Sequence, residues 1–337
     1  MREGKISEPV WKRSVLKRIK NRREEITVAP GVGKSGSLLD MKAGRTVVSS
    51  EADFLSSWQS GSHVSGRLIL NRAVNACAAM GALPVAVQVQ LLCPLEFMES
   101  DLRELIGILE EEAAVQNVSL LPGKIEASGA VTAPYLTVNG IGILKEEGFC
   151  PYEGVKAGQE LVLSKWIALE STVLLAEEHE KELLARYTPV FVDHAQELLR
   201  YISTVPEAAV AVRHGVTAML HVEEGGIFGA LWELAEGAGL GLEVQVKSIP
   251  VRQETIEICE LYNKNPYQLP SAGCLLMVTE QGERLRRELL QAGIPAVVIG
   301  VLTDGKERVL LHEEEKRFLE LPKMNELRNE SITGGQG

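Results

Sequence analysis

Three short glycine-containing segments are the places where this chain could approach a charged ligand most closely. They are residues 31–37 (GVGKSGS), 122–124 (PGK) and 223–226 (EEGG). Backbone N–H groups of a glycine-rich turn, or of a helix that begins at one, can bind an anion such as phosphate. Lys34 and Lys124 would add a positive charge at two of these places. A phosphate-bearing ligand is therefore the first functional hypothesis.

Each of these segments also has an ordinary structural explanation. A P-loop needs a glycine five positions before the glycine of its G-K-[S/T] triplet, and with Gly33 as that glycine the position is Val28. Segment 31–37 is therefore either an anion-binding turn or a plain turn. In segment 223–226 the two glutamates repel an anion, so the residues alone favour a helix start whose acids complement the helix dipole. Segment 122–124 by itself predicts an ordinary turn.

No residues form a recognisable catalytic or metal-binding set. The signatures G-x-S-x-G and H-E-x-x-H are missing from the sequence. The six histidines lack H-x-x-x-H spacing and the five cysteines lack a C-x-x-C pair, so we expect neither a zinc site nor a disulfide framework. Catalytic residues are left unassigned, and no metal ligands are predicted.

The length and composition of the chain limit its domain number and the classes of molecule that could bind it. The 337 residues, with a mass of 36.8 kDa, are enough for about two domains. With 35 Lys and Arg against 46 Asp and Glu, the net charge of −11 argues against nucleic acids and anionic membranes as partners. A basic cluster within residues 12–24 is interpreted as the solvated face of a helix rather than an anion or nucleic-acid patch. Because no signal peptide or membrane span is evident, we expect a cytoplasmic protein.

Hydrophobic spacing predicts helices and strands in both halves of the chain. In the first half it predicts helices at 7–20, 65–80 and 98–117 and strands at 45–50, 85–93 and 136–144. In the second half it predicts helices at 169–186, 190–202, 226–237, 253–262 and 282–292, and strands at 160–164, 217–221, 242–246, 274–279, 296–299 and 308–311. The expected fold is α+β (α/β), with domains at 1–150 and 151–325 and a flexible tail at 326–337.

The order and neighbours of the glycine segments resemble the AIR synthase-related (PurM-like) family. Its members include AIR synthase, selenophosphate synthetase, thiamine-phosphate kinase and the hydrogenase-maturation protein HypE, and the HypE-like branch matches best. The resemblance runs from about residue 4 to about residue 311. It is carried by RREEITVAPGVG (22–33), RTVVSSEADF (45–54), NRAVNACAAMGALP (71–84), LTVNGIGIL (136–144), GVTAM (215–219), EEGGIFGALWELAEGAGLGLEV (223–244), IPVRQETIEICE (249–260) and AGIPAVVIGVLTDG (292–305).

The resemblance implies a two-domain fold, a ligand and a set of site residues. N-terminal strands would form a barrel across a dimer interface, and the C-terminal domain would be an α/β sandwich. ATP would bind in a cleft between the domains, with Mg²⁺ held against its phosphates by acidic side chains. The positions that match the family's binding motifs are Gly31, Gly33, Lys34, Glu51, Asn75, Gly123, Lys124, Glu126, Glu224, Gly225 and Gly226.

Several of these motifs have lost the acids that the family uses. Lys34 stands in the segment that is acidic in the family, and Ala76 follows Asn75 where the family has aspartate. The family's DPTxGG turn is here HVEEGG (221–226), and no cysteine follows Cys274 to serve as the HypE carbamoyl acceptor. Since Mg²⁺ prefers carboxylate and phosphate oxygens, these departures from the family pattern argue against bound Mg²⁺.

Three functional hypotheses follow from this pattern. The first is a HypE-like homodimer with a degenerate Mg-ATP site, which binds a nucleotide or another phosphate ligand or has an accessory role. That role would be in hydrogenase or other metallocentre maturation, with a maturation protein as partner. The second is an active ATP-dependent enzyme that uses lysines in place of metal-binding aspartates. The third is a scaffold whose cleft binds nothing.

Overall fold

The computed structural model describes residues 4–29, 37–41, 44–55, 58, 64–144, 151–313 and 315–321. The chain divides into two compact units: Met1–Ala78 with Ala82–Glu146, and Ala79–Gly81 with Glu147–Gly337. Within the described residues, no helix is both long enough and apolar enough to cross a bilayer.

The first unit is built on a five-stranded sheet in the order β1-β6-β5-β7-β4. Strands β5 and β6 are parallel, while β7 runs antiparallel to both β5 and β4. The strands of the first unit are β1 (Gly4–Lys5), β2 (Ile26–Val28), β3 (Leu38–Leu39), β4 (Arg45–Phe54), β5 (Leu83–Cys93), β6 (Ser119–Ala127) and β7 (Tyr135–Leu144). Strands β2 and β3 pair with each other in a separate two-stranded sheet. The helices of this unit are α1 (Glu8–Val10), which continues into a π-helical turn at Trp11–Leu16, α2 (Val64–Ala79) and α3 (Glu99–Val115).

Helix α2 lies directly on this sheet because a glycine of β7 leaves room for it. A Cβ added at Gly140 would lie 2.5 Å from the carbonyl oxygen of Ala73 and 2.5 Å from the Ser49 hydroxyl. The Ser49 hydroxyl instead donates a 2.7 Å hydrogen bond to that carbonyl. The helix therefore sits close above strand β4, on the face of the sheet that carries Ser49.

The second unit is built on a seven-stranded sheet in the order β14-β13-β10-β12-β8-β11-β9. Neighbouring strands in this sheet are antiparallel, except that β10 and β13 are parallel. The strands are β8 (Glu160–Ser164), β9 (Ala218–His221), β10 (Gly241–Gln245), β11 (Leu275–Thr279), β12 (Ala296–Thr303), β13 (Arg308–His312) and β14 (Glu315–Phe318). The helices are α4 (Leu169–Glu178), α5 (Glu180–Leu184), α6 (Pro189–Gln196), α7 (Val205–Arg213), α8 (Gly226–Ala238), α9 (Gln253–Leu261) and α10 (Gly282–Gln291).

Apolar residues of α8 and of the central strands form the main core of the second unit. Ile227, Leu231 and Leu234 of α8 are fully buried together with Leu163 and Val244 of the sheet. This burial explains why the apolar spacing of residues 226–237 predicts the helix correctly, since one helical stripe must face the sheet.

Several sequence-based expectations differ from the structure. The helix expected at 169–186 is divided into α4 and α5 at His179, and the helix expected at 7–20 is short and ends in the π-helical turn. Helix α7 was not expected. The basic cluster of residues 12–24 is only partly a solvated face, because Arg22 donates to the carbonyl of Ile26 and Arg23 pairs with Glu25.

Candidate functional site

The expected site residues fall into three places in the chain. Gly31, Gly33 and Lys34 lie outside the described residues, as does the expected tail at 326–337. Glu51, Asn75, Gly123, Lys124 and Glu126 belong to the first unit, on β4, α2 and β6. Glu224, Gly225 and Gly226 belong to the second unit, at the start of α8.

Two carboxylates of β4 face a buried arginine of α2. Glu51 and Asp53 are two residues apart on a strand, so their side chains project from the same face of the sheet. The Arg72 guanidinium lies between them, with its Nε 3.8 Å from Glu51 Oε2 and its Nη2 3.5 Å from Asp53 Oδ2. The side chain of Arg72 is only 9% exposed. This arginine therefore provides a fixed positive charge next to both acids.

Asn75 is placed close to this group by the helix itself. It follows Arg72 by three residues on α2, which puts the two on neighbouring parts of one helical surface, and it is fully buried. Neither Asp53 nor Arg72 was among the expected site residues. The Glu51-x-Asp53 spacing was a usable signal for the aspartate, whereas the approach of Arg72 depends on the packing of α2 on β4.

The segment around Gly123 is part of a strand, and the predicted turn is wrong. Strand β6 continues through residues 122–124, with a bulge that sets two residues against Gln90 of β5. A Cβ at Gly123 would lie 3.0 Å from the carbonyl oxygen of Val89, so the bulge brings the two backbones close together. Lys124 then pairs with Glu126 at 2.7 Å between Nζ and Oε1.

Glu51 and Glu126, the carboxylates expected to share one site, lie on opposite faces of the first sheet. Asp53 pairs with Leu136 of β7, and Leu136 pairs with Leu91 of β5, so these residues share the face on which Glu51 lies. Glu126 pairs with Leu92, the neighbour of Leu91, and therefore projects from the other face. Among the expected residues that the structure describes in the first unit, Glu51 and Glu126 therefore do not converge on one point.

The glycine pair at the start of α8 is explained by local packing. Gly225 and Gly226 both have positive φ, at 78° and 60°. A Cβ at Gly226 would lie 2.6 Å from the carbonyl oxygen of Tyr267 and 2.7 Å from that of Leu269. The N–H of Phe228 donates to the Tyr267 carbonyl at 3.1 Å, and the rings of Phe228 and Tyr267 are stacked. One of the helix N–H donors that a phosphate could use is therefore already engaged.

An imidazole–carboxylate pair lies just before these glycines. Nδ1 of His221 is 2.8 Å from Oε1 of Glu223, and the His221 side chain is almost fully buried while Glu223 is half-buried. The spacing of the histidines in the sequence predicts no metal site and does not single out His221. The signal that was available is the position of His221 at the end of a strand, two residues before a carboxylate and four before a glycine pair.

Comparison with known proteins identifies a domain family for the second unit. A family model described as "AIR synthase related protein, C-terminal domain" matches residues 156–312. The second unit of this chain carries an AIR synthase-related C-terminal domain. The match covers the strands and helices from β8 to β13, including the turn that holds Glu224, Gly225 and Gly226.

Curated relatives of this chain are named as hydrogenase expression/formation proteins or as carbamoyl dehydratase HypE. A candidate hydrogenase expression/formation protein of Methanocaldococcus jannaschii is 24% identical over 262 residues, which are 76% of this chain and 76% of that protein. The carbamoyl dehydratase HypE of Rhodobacter capsulatus is 23% identical over 220 residues, which are 65% of this chain and 62% of that protein. These identities indicate distant relatives.

Solved structures share the fold over almost the whole chain. HypE of E. coli superimposes with a TM-score of 0.78 at 18% identity, over 96% of this chain and 99% of that one. A HypE structure in complex with ATP gives a TM-score of 0.72 at 16% identity, over 94% of both chains. The chain in a HypE–HypF complex gives 0.67 at 18% identity, over 82% of this chain and 90% of that one. The expected PurM-like α+β fold is confirmed.

The described residues of this chain do not fit the Mg²⁺ that the resemblance to the AIR synthase-related family implies. In the described part of the chain, no three His, Cys, Asp or Glu side chains are grouped as a metal site needs. Glu51 and Asp53 face the guanidinium of Arg72, and Glu126 is paired with Lys124. Mg²⁺ in proteins is usually bound by one or two carboxylates together with water and substrate phosphates, and here each of these carboxylates already faces a cation of the protein.

Proposed function

We propose that this chain is a HypE-like accessory protein of hydrogenase or other metallocentre maturation, which binds a nucleotide or another phosphate-bearing ligand without a protein-held Mg²⁺. The observation that carries the proposal is the combination of a HypE fold with internally paired carboxylates at Glu51 and Asp53. The shared HypE fold supports binding of a phosphate-bearing ligand. The carboxylates of Glu51 and Asp53 already face Arg72, so they do not support metal-assisted phosphate chemistry.

Neighbouring structures supply the ligand and partner classes of the proposal. One HypE was solved in complex with ATP, and another HypE in complex with HypF. We carry over from them a nucleotide ligand and a maturation protein as partner. The expected homodimer is retained as part of the proposal.

The described cysteines support an accessory role over carbamoyl-transfer chemistry. Cys77, Cys93, Cys259 and Cys274 are all buried. Burial raises the pKa of the Cys93 thiol to about 11 and those of Cys259 and Cys274 to about 12. A thiol that stays protonated at neutral pH is a poor nucleophile. None of these four suits a covalent step.

Calorimetric titration with ATP tests the proposed function. We expect ATP to bind with the same affinity in the presence of Mg²⁺ and in the presence of EDTA. Binding that requires Mg²⁺, or steady release of ADP, would favour the alternative of an active ATP-dependent enzyme. A thermal-shift series of nucleotides and phosphates that gives no stabilisation would leave only the scaffold hypothesis, because a ligand that binds the native state must raise its stability.

A further inference from the structure

Arg72 lies at ion-pair distance from both carboxylates of β4. Both oxygens of Asp53 have a partner: Oδ1 accepts the N–H of Phe54 at 2.8 Å, and Oδ2 faces Arg72. Glu51 presents Oε2 to the Nε of the same guanidinium. The acids are 20% and 27% exposed, so water reaches them only partly and screens the attraction only in part.

We propose that Arg72 is a resident cation that takes the place of a divalent metal ion between Glu51 and Asp53. A guanidinium is permanently charged and presents several N–H groups in a plane, so one side chain can serve two carboxylates. With this charge fixed on α2, the acids of β4 do not take up Mg²⁺. This inference deepens the proposed function, and it rests on that function only for the statement that the ligand is a phosphate.

Electrostatics gives the size of the expected effect. A positive charge about 4 Å from a carboxylate weakens the attraction of that carboxylate for any further cation, and it repels a dication twice as strongly as a monocation. Removing the charge while keeping the volume of the side chain should therefore free both acids for a metal ion. We expect the affinity for a divalent ion to rise by about tenfold or more.

The experiment measures Mn²⁺ binding by electron paramagnetic resonance on the full chain, because Mn²⁺ accepts the oxygen ligands that suit Mg²⁺. The wild type should leave Mn²⁺ free, and Arg72→Met should bind it. Adding Glu51→Gln to Arg72→Met should remove the gained binding. The matched control is Arg67→Met on the same helix, whose guanidinium faces Glu111 and Glu112 rather than β4. This control should behave as the wild type.

Two results would overturn the proposal. One is tight Mn²⁺ binding by the wild type that is lost in Glu51→Gln. The other is a folded Arg72→Met variant, judged by circular dichroism, that gains no Mn²⁺ binding. If the methionine variant does not fold, Arg72→Gln, which keeps N–H donors but no charge, takes its place, and the wild-type measurement stands by itself. The titration uses no nucleotide, so its outcome is separate from that of the ATP experiment.

Discussion

At the scale of single residues, Gly226 illustrates how a glycine can be required by packing rather than by a ligand. Its φ is positive and its Cα faces three backbone atoms of residues 267–269. A side chain there would both strain the backbone and push that segment away. The glycine is thus needed whether or not a phosphate binds nearby.

We predict that Gly226→Ala destabilises the second unit by at least about 2 kcal/mol, since a left-handed conformation and an overpacked contact each cost about 1 kcal/mol or more. Urea denaturation followed by circular dichroism measures the loss. Gly107→Ala is the matched control, because Gly107 lies inside helix α3 with no atom within 4 Å of an added Cβ. The control should gain about 0.5–1 kcal/mol from helix propensity. Equal effects of both substitutions would contradict the packing argument.

A second residue-scale feature is the buried ion pair between Lys165 and Glu207. Nζ of Lys165 lies 2.5 Å from Glu207 Oε1 and donates to the carbonyl oxygens of Tyr201 and Ser203 at 2.7 and 2.6 Å. Both charged side chains are almost fully excluded from water. The ion pair connects the residue after strand β8 to helix α7, and the two carbonyl contacts connect it to the segment before that helix.

We predict that Glu207→Leu lowers the free energy of unfolding by about 3–5 kcal/mol, because it leaves a buried ammonium without its counter-charge. The double variant Lys165→Met/Glu207→Leu should lose less than Glu207→Leu does, since no charge is then left buried. Thermal and urea denaturation of both variants measure the difference. A double variant that is less stable than Glu207→Leu would show that the hydrogen bonds of Lys165 to the carbonyls matter more than the ion pair.

At the scale of elements, Glu99 of α3 binds the π-helical turn of the N-terminal segment. Glu99 accepts hydrogen bonds from the Arg13 guanidinium and, at 2.6 Å, from the Ser14 hydroxyl. The Arg13 guanidinium is the main cause that lowers the pKa of Glu99 from 4.5 to about 2. The π-helical turn carries both Arg13 and Ser14, so the irregular helix places two adjacent donors on one acid.

We predict that this attachment weakens as the pH falls. Because the folded-state pKa of Glu99 is lowered, its contribution is fully present above pH 4.5 and is lost as the pH falls toward about 2. Limited proteolysis with pepsin, which works in acid, should cut the N-terminal segment increasingly fast over this range. Glu99→Gln should be cut as fast at pH 4.5 as the wild type is at the acid end. Cleavage of the wild type that does not depend on pH would contradict the role of Glu99.

Element order was largely predictable from the sequence, and element irregularities were not. The spacing of apolar residues predicts α8, α9, α10 and the strands between them correctly. Each helix buries one apolar face, and each buried strand is a short continuous run of apolar residues. The sequence predicts a turn at residues 122–124 because proline and glycine are typical of turns. Only the pairing with β5 shows that strand β6 continues through this segment with a bulge. Helix α7 was not predicted, because its alanine and valine residues do not form a clear helical or strand-like hydrophobic pattern.

At the scale of the whole molecule, the first sheet ends in a long edge strand with exposed apolar side chains. Strand β4 has ten residues, and Val48 and Phe54 on it are 68% and 49% exposed. Sheet edges of this kind pair with other chains unless they are protected. This edge is where the proposed homodimer would form.

We predict a mass near twice the 36.8 kDa chain in light scattering coupled to size exclusion. Val48→Lys should shift the mass toward that of one chain, because a buried ammonium opposes strand pairing. Val115→Lys, an exposed position at the end of helix α3, is the control and should leave the mass unchanged. A monomeric wild type would remove the dimer from the proposed function.

The sequence by itself determined the α+β class, the PurM-like resemblance and the loss of acids next to Asn75, because these depend on residue types and on spacing along one element. Only the tertiary structure decided which charges meet. Arg72 reaches Glu51 and Asp53 because helix α2 rests on the face of β4 from which both acids project. Glu126 lies on the opposite face because side chains alternate along paired strands. Contacts between charged residues of separate elements depend on how those elements pack, and a local sequence pattern does not contain that information.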